Sequence, residues 1–286
     1  MNAPRWIDTH CHLDAEEFAA DRQATRACAA INCVALLVLP AVCPDHFERV
    51  RALAHANGDA YALGIHPLYV EQAGSDAIRS LETALVRWCD DPRLVAVGEI
   101  GLDYWDSCLS REPWRSSQRA LLQAQLRLAR RFDLPVLLHT RRALDDVLAA
   151  LRQVAPEQSW RGIAHAYTGS DQQTRATLEL GLKLGFGGAF THERATRLRE
   201  LASRVPQEAI VLETDAPDMV PRWLYRIAAD RTSGMPQARN EPAQLARIGT
   251  ELAALRGVAP AALAHACWNN SLDALPRLKS LAIMAP

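Results

Sequence analysis

LVAVGEIGL, residues 94–102, is an almost unbroken apolar run that carries one acid, Glu99. Strands buried on both faces read this way, because a parallel sheet is covered by helices on each side. Seven further runs have the same character: WIDTHCH (6–12), VALLVLP (34–40), YALGIHP (61–67), LPVLLHT (134–140), RGIAHAY (161–167), LKLGFGGA (182–189) and AIVLETD (209–215). Between them lie amphipathic stretches. SSQRALLQAQLRLARRF (116–132) places Leu121, Leu122, Leu126, Leu128, Ala129 and Phe132 on one helical stripe. DAIRSLETALVRWC (76–89) and DDVLAALRQV (145–154) repeat the pattern. Strand and helix alternating eight times predict an α/β chain folded as a TIM (β/α)8 barrel. After the eighth run, residues 216–240 contain Pro217, Pro221, Gly234 and Pro236 and read as an extended loop. A helix over 241–257 and a short one near 260–268 are extra C-terminal elements. No boundary divides the chain, so residues 1–286 are expected to form a single domain.

Composition narrows the function classes. With 32 basic and 33 acidic residues the formal net charge is −1, so no global field draws in nucleic acid or an anionic membrane. A polyanion would have to be held by a local patch or a metal. Seven scattered cysteines without a CxxC pair fit a reduced chain rather than a disulfide scaffold. No apolar stretch approaches the ~20 residues of a membrane span, and the N-terminus lacks a signal-like apolar core. A cytoplasmic location with no membrane partner is the expectation.

The informative polar residues lie at the strand ends. His10 and His12 close the first run, His66 the third, His139 the fifth with Arg141 following, and His165 the sixth. Glu99 lies late in the fourth with Asp103 just beyond, and Glu213 and Asp215 close the eighth. All C-terminal strand ends of a parallel barrel share one rim, where active sites are found. Residues two apart in a strand face the same side, so His10 pairs with His12, Glu213 pairs with Asp215, and Cys11 points away. A lone imidazole in an apolar run needs only a hydrogen-bond partner. Acids set in apolar strands need more, since Asp and Glu are almost never buried uncompensated. Arg141 is the one cation at a comparable strand end. A metal cluster accounts for four histidines and two acids together. His46, His55 and His265 fall on helical stretches, and His192 follows the seventh run near the rim. Gly187 and Gly188 carry no GxGxxG or Walker pattern, so close packing is their simpler reading.

Six segments resemble the TatD family of metal-dependent deoxyribonucleases, in the family order: DTHCHLD (8–14), GIHP (64–67), GEIGLDY (98–104), PVLLHTRRALDD (135–146), HAYTGS (165–170) and LETDAP (212–217). RNEPAQLARI (239–248) and NNS (269–271) resemble its C-terminal region, and the details are most similar to its YjjV-like branch. The resemblance implies a TIM-barrel metallohydrolase related to the amidohydrolases. It implies two divalent ions (Zn, Mn, Mg, Fe or Co) held by His10, His12, Glu99, His139, His165 and Asp215, with Glu99 bridging. Asp215 would also accept the proton of the attacking water, with Glu213 orienting it or a neighbouring group. His66 and Arg141 would contact substrate phosphate. The implied substrate is nucleic acid, most simply single-stranded DNA ends. The alternative is the same bimetallic chemistry on an ester, lactone, amide or aminoacyl-tRNA. The chain departs from the family pattern at Leu68 after GIHP and at its last residues, away from the implied ligands.

Overall fold

A computed structural model describes residues 4–72, 74, 76–105, 107–227 and 237–284. Eight strands form one parallel sheet in sequence order, β1 through β8. They are β1 (Trp6–Asp8), β2 (Val34–Pro40), β3 (Ala60–Leu63), β4 (Leu94–Asp103), β5 (Val136–Arg141), β6 (Gly162–Ala164), β7 (Lys183–Phe186) and β8 (Ile210–Leu212). Seven helices follow the first seven strands: α1 (Arg22–Ile31), α2 (Phe47–Asn57), α3 (Ala77–Trp88), α4 (Trp114–Arg131), α5 (Leu144–Val154), α6 (Asp171–Glu179) and α7 (Thr196–Arg204). The eightfold strand–helix rhythm and the TIM-barrel class are as expected from the apolar runs.

Alternation along most of the strands divides the core in two. Ile7, Leu36, Val38, Ala62, Val95, Leu137, Ile163 and Val211 form an inner cluster. Their neighbours Leu37, Leu39, Leu63, Val97, Leu138 and Leu212 belong to an outer cluster beneath the helices. This is the packing of a filled barrel rather than a pore.

Three helices follow β8: α8 (Leu245–Arg256), α9 (Pro260–Ala274) and α10 (Leu278–Met284). The short helix expected near 260–268 is therefore corrected to fifteen residues with a further helix behind it. The added length has a packing cause. Ala274, Leu275, Leu278 and Leu281 join the inner cluster from the chain's end. The described part of the 216–240 segment contains no long element, as expected for a loop; Gly234 and Pro236 lie outside the described residues.

Most strands end earlier than their apolar runs. The first run reaches His12 but β1 ends at Asp8, and the eighth reaches Asp215 but β8 ends at Leu212. Past those points the backbones of the two segments are stitched together. Thr9 N–H donates to Leu212 O (3.1 Å), Asp215 N–H to His10 O (2.8 Å), and His12 N–H to Ala216 O (2.8 Å). Asp8 reinforces the seam: its carboxylate accepts from Thr214 N (2.9 Å) and Thr214 Oγ1 (2.6 Å), and it is fully buried. The sheet thus closes through the residues that carry the histidines and acids. Asp8→Ala leaves the Thr214 N–H buried without an acceptor, at a cost of about 2–3 kcal/mol. The expected result is a lower urea midpoint with an unchanged m-value; an unchanged midpoint would remove Asp8 from the seam.

Helix α4 positions the opposite side of the rim. Its apolar face buries Leu122, Leu126 and Ala129, and on the same side bury two glutamines, Gln118 and Gln125, seven positions apart. Gln125 brackets the Ile65 backbone (Oε1 from N at 2.7 Å, Nε2 to O at 3.1 Å). Gln118 brackets Asp103 in the same way, at 2.9 and 3.2 Å. The segments carrying His66 and Asp103 are held by these side-chain amides rather than by ladder bonds alone.

Candidate metal centre

Glu99 is the hub. Its carboxylate is buried inside β4 where β4 and β5 run close together; a Cβ at the preceding Gly98 would lie 2.5 Å from Leu137 Cβ. Oε2 lies 3.1 Å from His10 Nε2 and 3.5 Å from His12 Nε2. Those two imidazole nitrogens are 3.2 Å apart, and Asp215 Oδ1 is 3.7 Å from each. Oε1 faces other partners: His139 Nδ1 at 2.9 Å, His66 Nε2 at 3.5 Å and His165 Nε2 at 4.0 Å. Asp215 divides likewise, with Oδ2 at 3.6 Å from His165 Nε2. The two oxygens of Glu99 therefore serve two adjacent groups of donors.

The first group has the dimensions of a cation site. Four tetrahedral ligand atoms about 2.1 Å from one ion lie about 3.4 Å from each other. The five separations above among His10, His12, Glu99 Oε2 and Asp215 Oδ1 run from 3.1 to 3.7 Å. Hydrogen bonds alone do not satisfy this set. A ring nitrogen carries at most one proton, so His10 Nε2 cannot donate to both Glu99 and His12. Imidazole and carboxylate are also the donor types that suit zinc, manganese, iron or cobalt.

Two further carboxylates stand behind the histidines. Asp103 Oδ2 is 3.1 Å from His139 Nε2, leaving Nδ1 toward Glu99. Glu213 Oε1 is 3.1 Å from His165 Nδ1, leaving Nε2 toward Asp215, and the same oxygen accepts from Ala166 N at 2.6 Å. Such partners set ring orientation and tautomer and raise ligand basicity. His165 is the neighbour that Glu213 would orient, since its Nδ1 is the ring nitrogen that faces Glu213. Gly185 makes room for it, since a Cβ there would lie 2.2 Å from Glu213 Oε2. Asp103 stands at the strand end in the sequence but outside the expected ligand set, although an acid next to an apolar strand needs a partner as much as Glu99 does. Asp103→Asn is expected to weaken metal affinity by about 10- to 100-fold, measured by titration against a competing chelator; unchanged affinity would refute the support role.

His66 has a different role from the other rings. Its Nδ1 accepts from Leu68 N–H at 3.2 Å, so in the neutral ring Nε2 carries the proton and points at Glu99. Burial, with His139 beside it, lowers its pKa to about 4, which keeps the ring neutral. His66 therefore presents an Nε2–H on the Glu99 side, 3.5 Å from Oε1. The rest of the cluster is electrostatically polarised. Burial would raise Glu99, but His10, His66 and His12 hold it well below the carboxylate range. Burial and the stacked His165 ring hold His10 well below the imidazole range; the centroids are 3.7 Å apart. Against burial, Glu99 and Asp215 raise His12 to about 9, and Glu213 and Asp215 raise His165 to about 10. Burial pushes Asp215 up to about 6.

His10, His12, Glu213 and Asp215 all lie beyond their strands, and Asp215 has φ +55°. His10 and His12 converge nevertheless, because the stitched seam turns the backbone. Glu213 and Asp215 both meet the His165 ring, Glu213 at Nδ1 and Asp215 at Nε2. Arg141 is exposed at the rim, 4.5 Å over the Trp105 ring, with no contact to the cluster among the described residues. Cys11 is buried against Ala216 O, away from the donors. His192 donates its ring to Val220 O at 2.9 Å and packs on Tyr225. His46, His55 and His265 engage Arg49, Asp91 and Asn269 on the helices.

The sequence pattern of the family described as TatD related DNase matches residues 7–275. The uncharacterized metal-dependent hydrolase YjjV of Escherichia coli (strain K12) is 37% identical over 268 residues, covering 93% of this chain and 96% of that protein. A protein of Klebsiella pneumoniae (strain 342) named 3'-5' ssDNA/RNA exonuclease TatD is 33% identical over 253 residues, covering 88% and 90%. The crystal structure of the Escherichia coli YjjV protein, a TatD homolog, superposes with a TM-score of 0.84 at 36% identity, covering 96% of this chain and 98% of that one.

Proposed function

This chain belongs to the TatD family of related DNases and is a metal-dependent hydrolase, and on that premise we propose that it cleaves phosphodiester bonds of single-stranded DNA from an end. In this reading His10, His12, Glu99, His139, His165 and Asp215 would hold two divalent ions, and Glu99 would serve both. The observation that carries it is the split carboxylate of Glu99, each oxygen facing its own set of imidazoles. Bound divalent ions supply Lewis acidity, which brings hydroxide within reach near neutral pH and offsets charge developing on phosphoryl oxygens.

The chain's own residues supply the rest. Asp215, with one oxygen toward His10 and His12 and the other toward His165, takes the proton of the attacking water. Glu213 and Asp103 fix the rings of His165 and His139. His66 offers an Nε2–H beside Glu99 for a phosphoryl oxygen, and Arg141 offers a planar fork at the rim.

Single-stranded ends suit this charge distribution. A chain of net charge −1 has no global positive field to draw in a long duplex, and relatives are named 3'-5' ssDNA/RNA exonucleases. Among the described residues no helix is long and apolar enough to cross a membrane. Scattered cysteines without a CxxC pair fit action in the reducing cytoplasm. The test is a substrate panel with Mn2+: end-labelled single-stranded DNA, the matching duplex, a small lactone and an aminoacyl-tRNA. Progressive shortening of the single strand, faster than turnover of the others, is expected. Preferential turnover of the lactone or the aminoacyl bond would replace this reading.

A further inference from the structure

We propose that Trp105, Arg142 and Arg141 form a nucleotide subsite at the barrel mouth, where the guanidiniums hold phosphate and the indole stacks on a base of single-stranded nucleic acid. The inference rests on the nuclease reading for its ligand, but on different residues. Trp105 lies two positions past β4, and Arg141 and Arg142 lie at and just past the end of β5, on the rim that carries the metal centre. The guanidinium carbons of Arg141 and Arg142 are 4.5 and 4.0 Å from the indole centroid. Even so, Trp105 remains 53% exposed, an unusual setting for a large aromatic residue. Both arginines are exposed; Arg141 acts electrostatically on the neighbouring Asp103, and among the described residues neither arginine makes a close ion pair. Elsewhere on this surface arginines commonly meet an acid, as Arg119 does Asp146 and Arg239 does Asp21.

The platform is fastened to the metal centre. Asp103 accepts from Trp105 N–H through Oδ1 (2.8 Å) while Oδ2 holds His139 (3.1 Å). Tyr104 N–H donates to Arg141 O at 2.8 Å, tying the two rim segments together. Arg142 has φ +57°, a conformation that non-glycine residues adopt at a cost and that gathers at binding sites. Guanidinium planes prefer phosphate, and an exposed indole takes a base face of any identity. The combination selects an unpaired strand, because bases inside a duplex present no free face.

The test is binding of a fluorescein-labelled oligothymidylate to the metal-depleted protein, followed by anisotropy across a salt series. Trp105→Ala is expected to weaken binding about tenfold or more, and Trp105→Phe to restore most of it. Arg142→Ala is expected to weaken binding and to lower the salt slope by about 0.7, one phosphate's worth. Arg142→Ala also serves if the tryptophan variant folds poorly. Unchanged affinity and slope in Arg142→Ala, with unchanged affinity in a folded Trp105→Ala, would overturn the subsite. Hydrolysis by the wild type with Mn2+ is scored separately: binding without cleavage would overturn the nuclease reading and leave the subsite standing.

Discussion

Glu99→Gln is expected to lose both ions at ordinary metal concentrations and at least about a thousandfold in kcat/KM. The size follows from what the residue does. One buried carboxylate faces His10 and His12 with one oxygen and His139 and His165 with the other. An amide of the same shape keeps the volume but removes the negative charge. It also turns a donor toward one set of imidazole lone pairs. Loss of Lewis-acid stabilisation worth several kcal/mol corresponds to three or more decades in rate. Metal content after dialysis and turnover of single-stranded DNA check it together. A variant that keeps full metal content would show that Glu99 only packs the pocket.

Asp215→Asn separates chemistry from binding. Asp215 sits at the edge of the cluster, 3.7 Å from His10 and His12 and 3.6 Å from His165, while Glu99 lies closer to His10, His12 and His139. Its side chain is also more exposed, 16% against 3% for Glu99, as suits a group that meets water and substrate. An asparagine there cannot accept the water's proton. The expected outcome is a fall in kcat of about 10²–10⁴ with KM little changed and at least one ion retained. A kcat within threefold of wild type would move the proton acceptor elsewhere, with Glu213 the next group to replace.

Much of this was legible in the residues, for physical reasons that differ from place to place. The barrel could be read because buried parallel strands leave continuous apolar runs, and eight of them alternate with helical stripes. The acids could be read because Glu99 and Asp215 stand in apolar surroundings where a charge needs compensation. Strand ends could not be read, because hydropathy continues into the buried loops that follow β1 and β8. Asp8 was visible as an acid in WIDTHCH, but its bond to Thr214 spans about two hundred residues and has no local signature. The same holds for the glutamine brackets of α4: Gln118 and Gln125 look like solvated positions until the strand ends arrive beside them. The length of α9 was hidden because its last turn and the following helix pack into the barrel's inner cluster rather than along an amphipathic stripe. Trp105 carries no periodic signal, and its interest arises only when β4 and β5 bring Arg141 and Arg142 over it.

The assignment of Glu99 as a shared ligand is tested most directly by anomalous diffraction from crystals of this protein soaked in Mn2+. Two peaks are expected, one on each side of the Glu99 carboxylate, the first within coordination distance of His10 and His12 and the second of His139 and His165. A single peak, or peaks away from Glu99, would contradict the two-ion account.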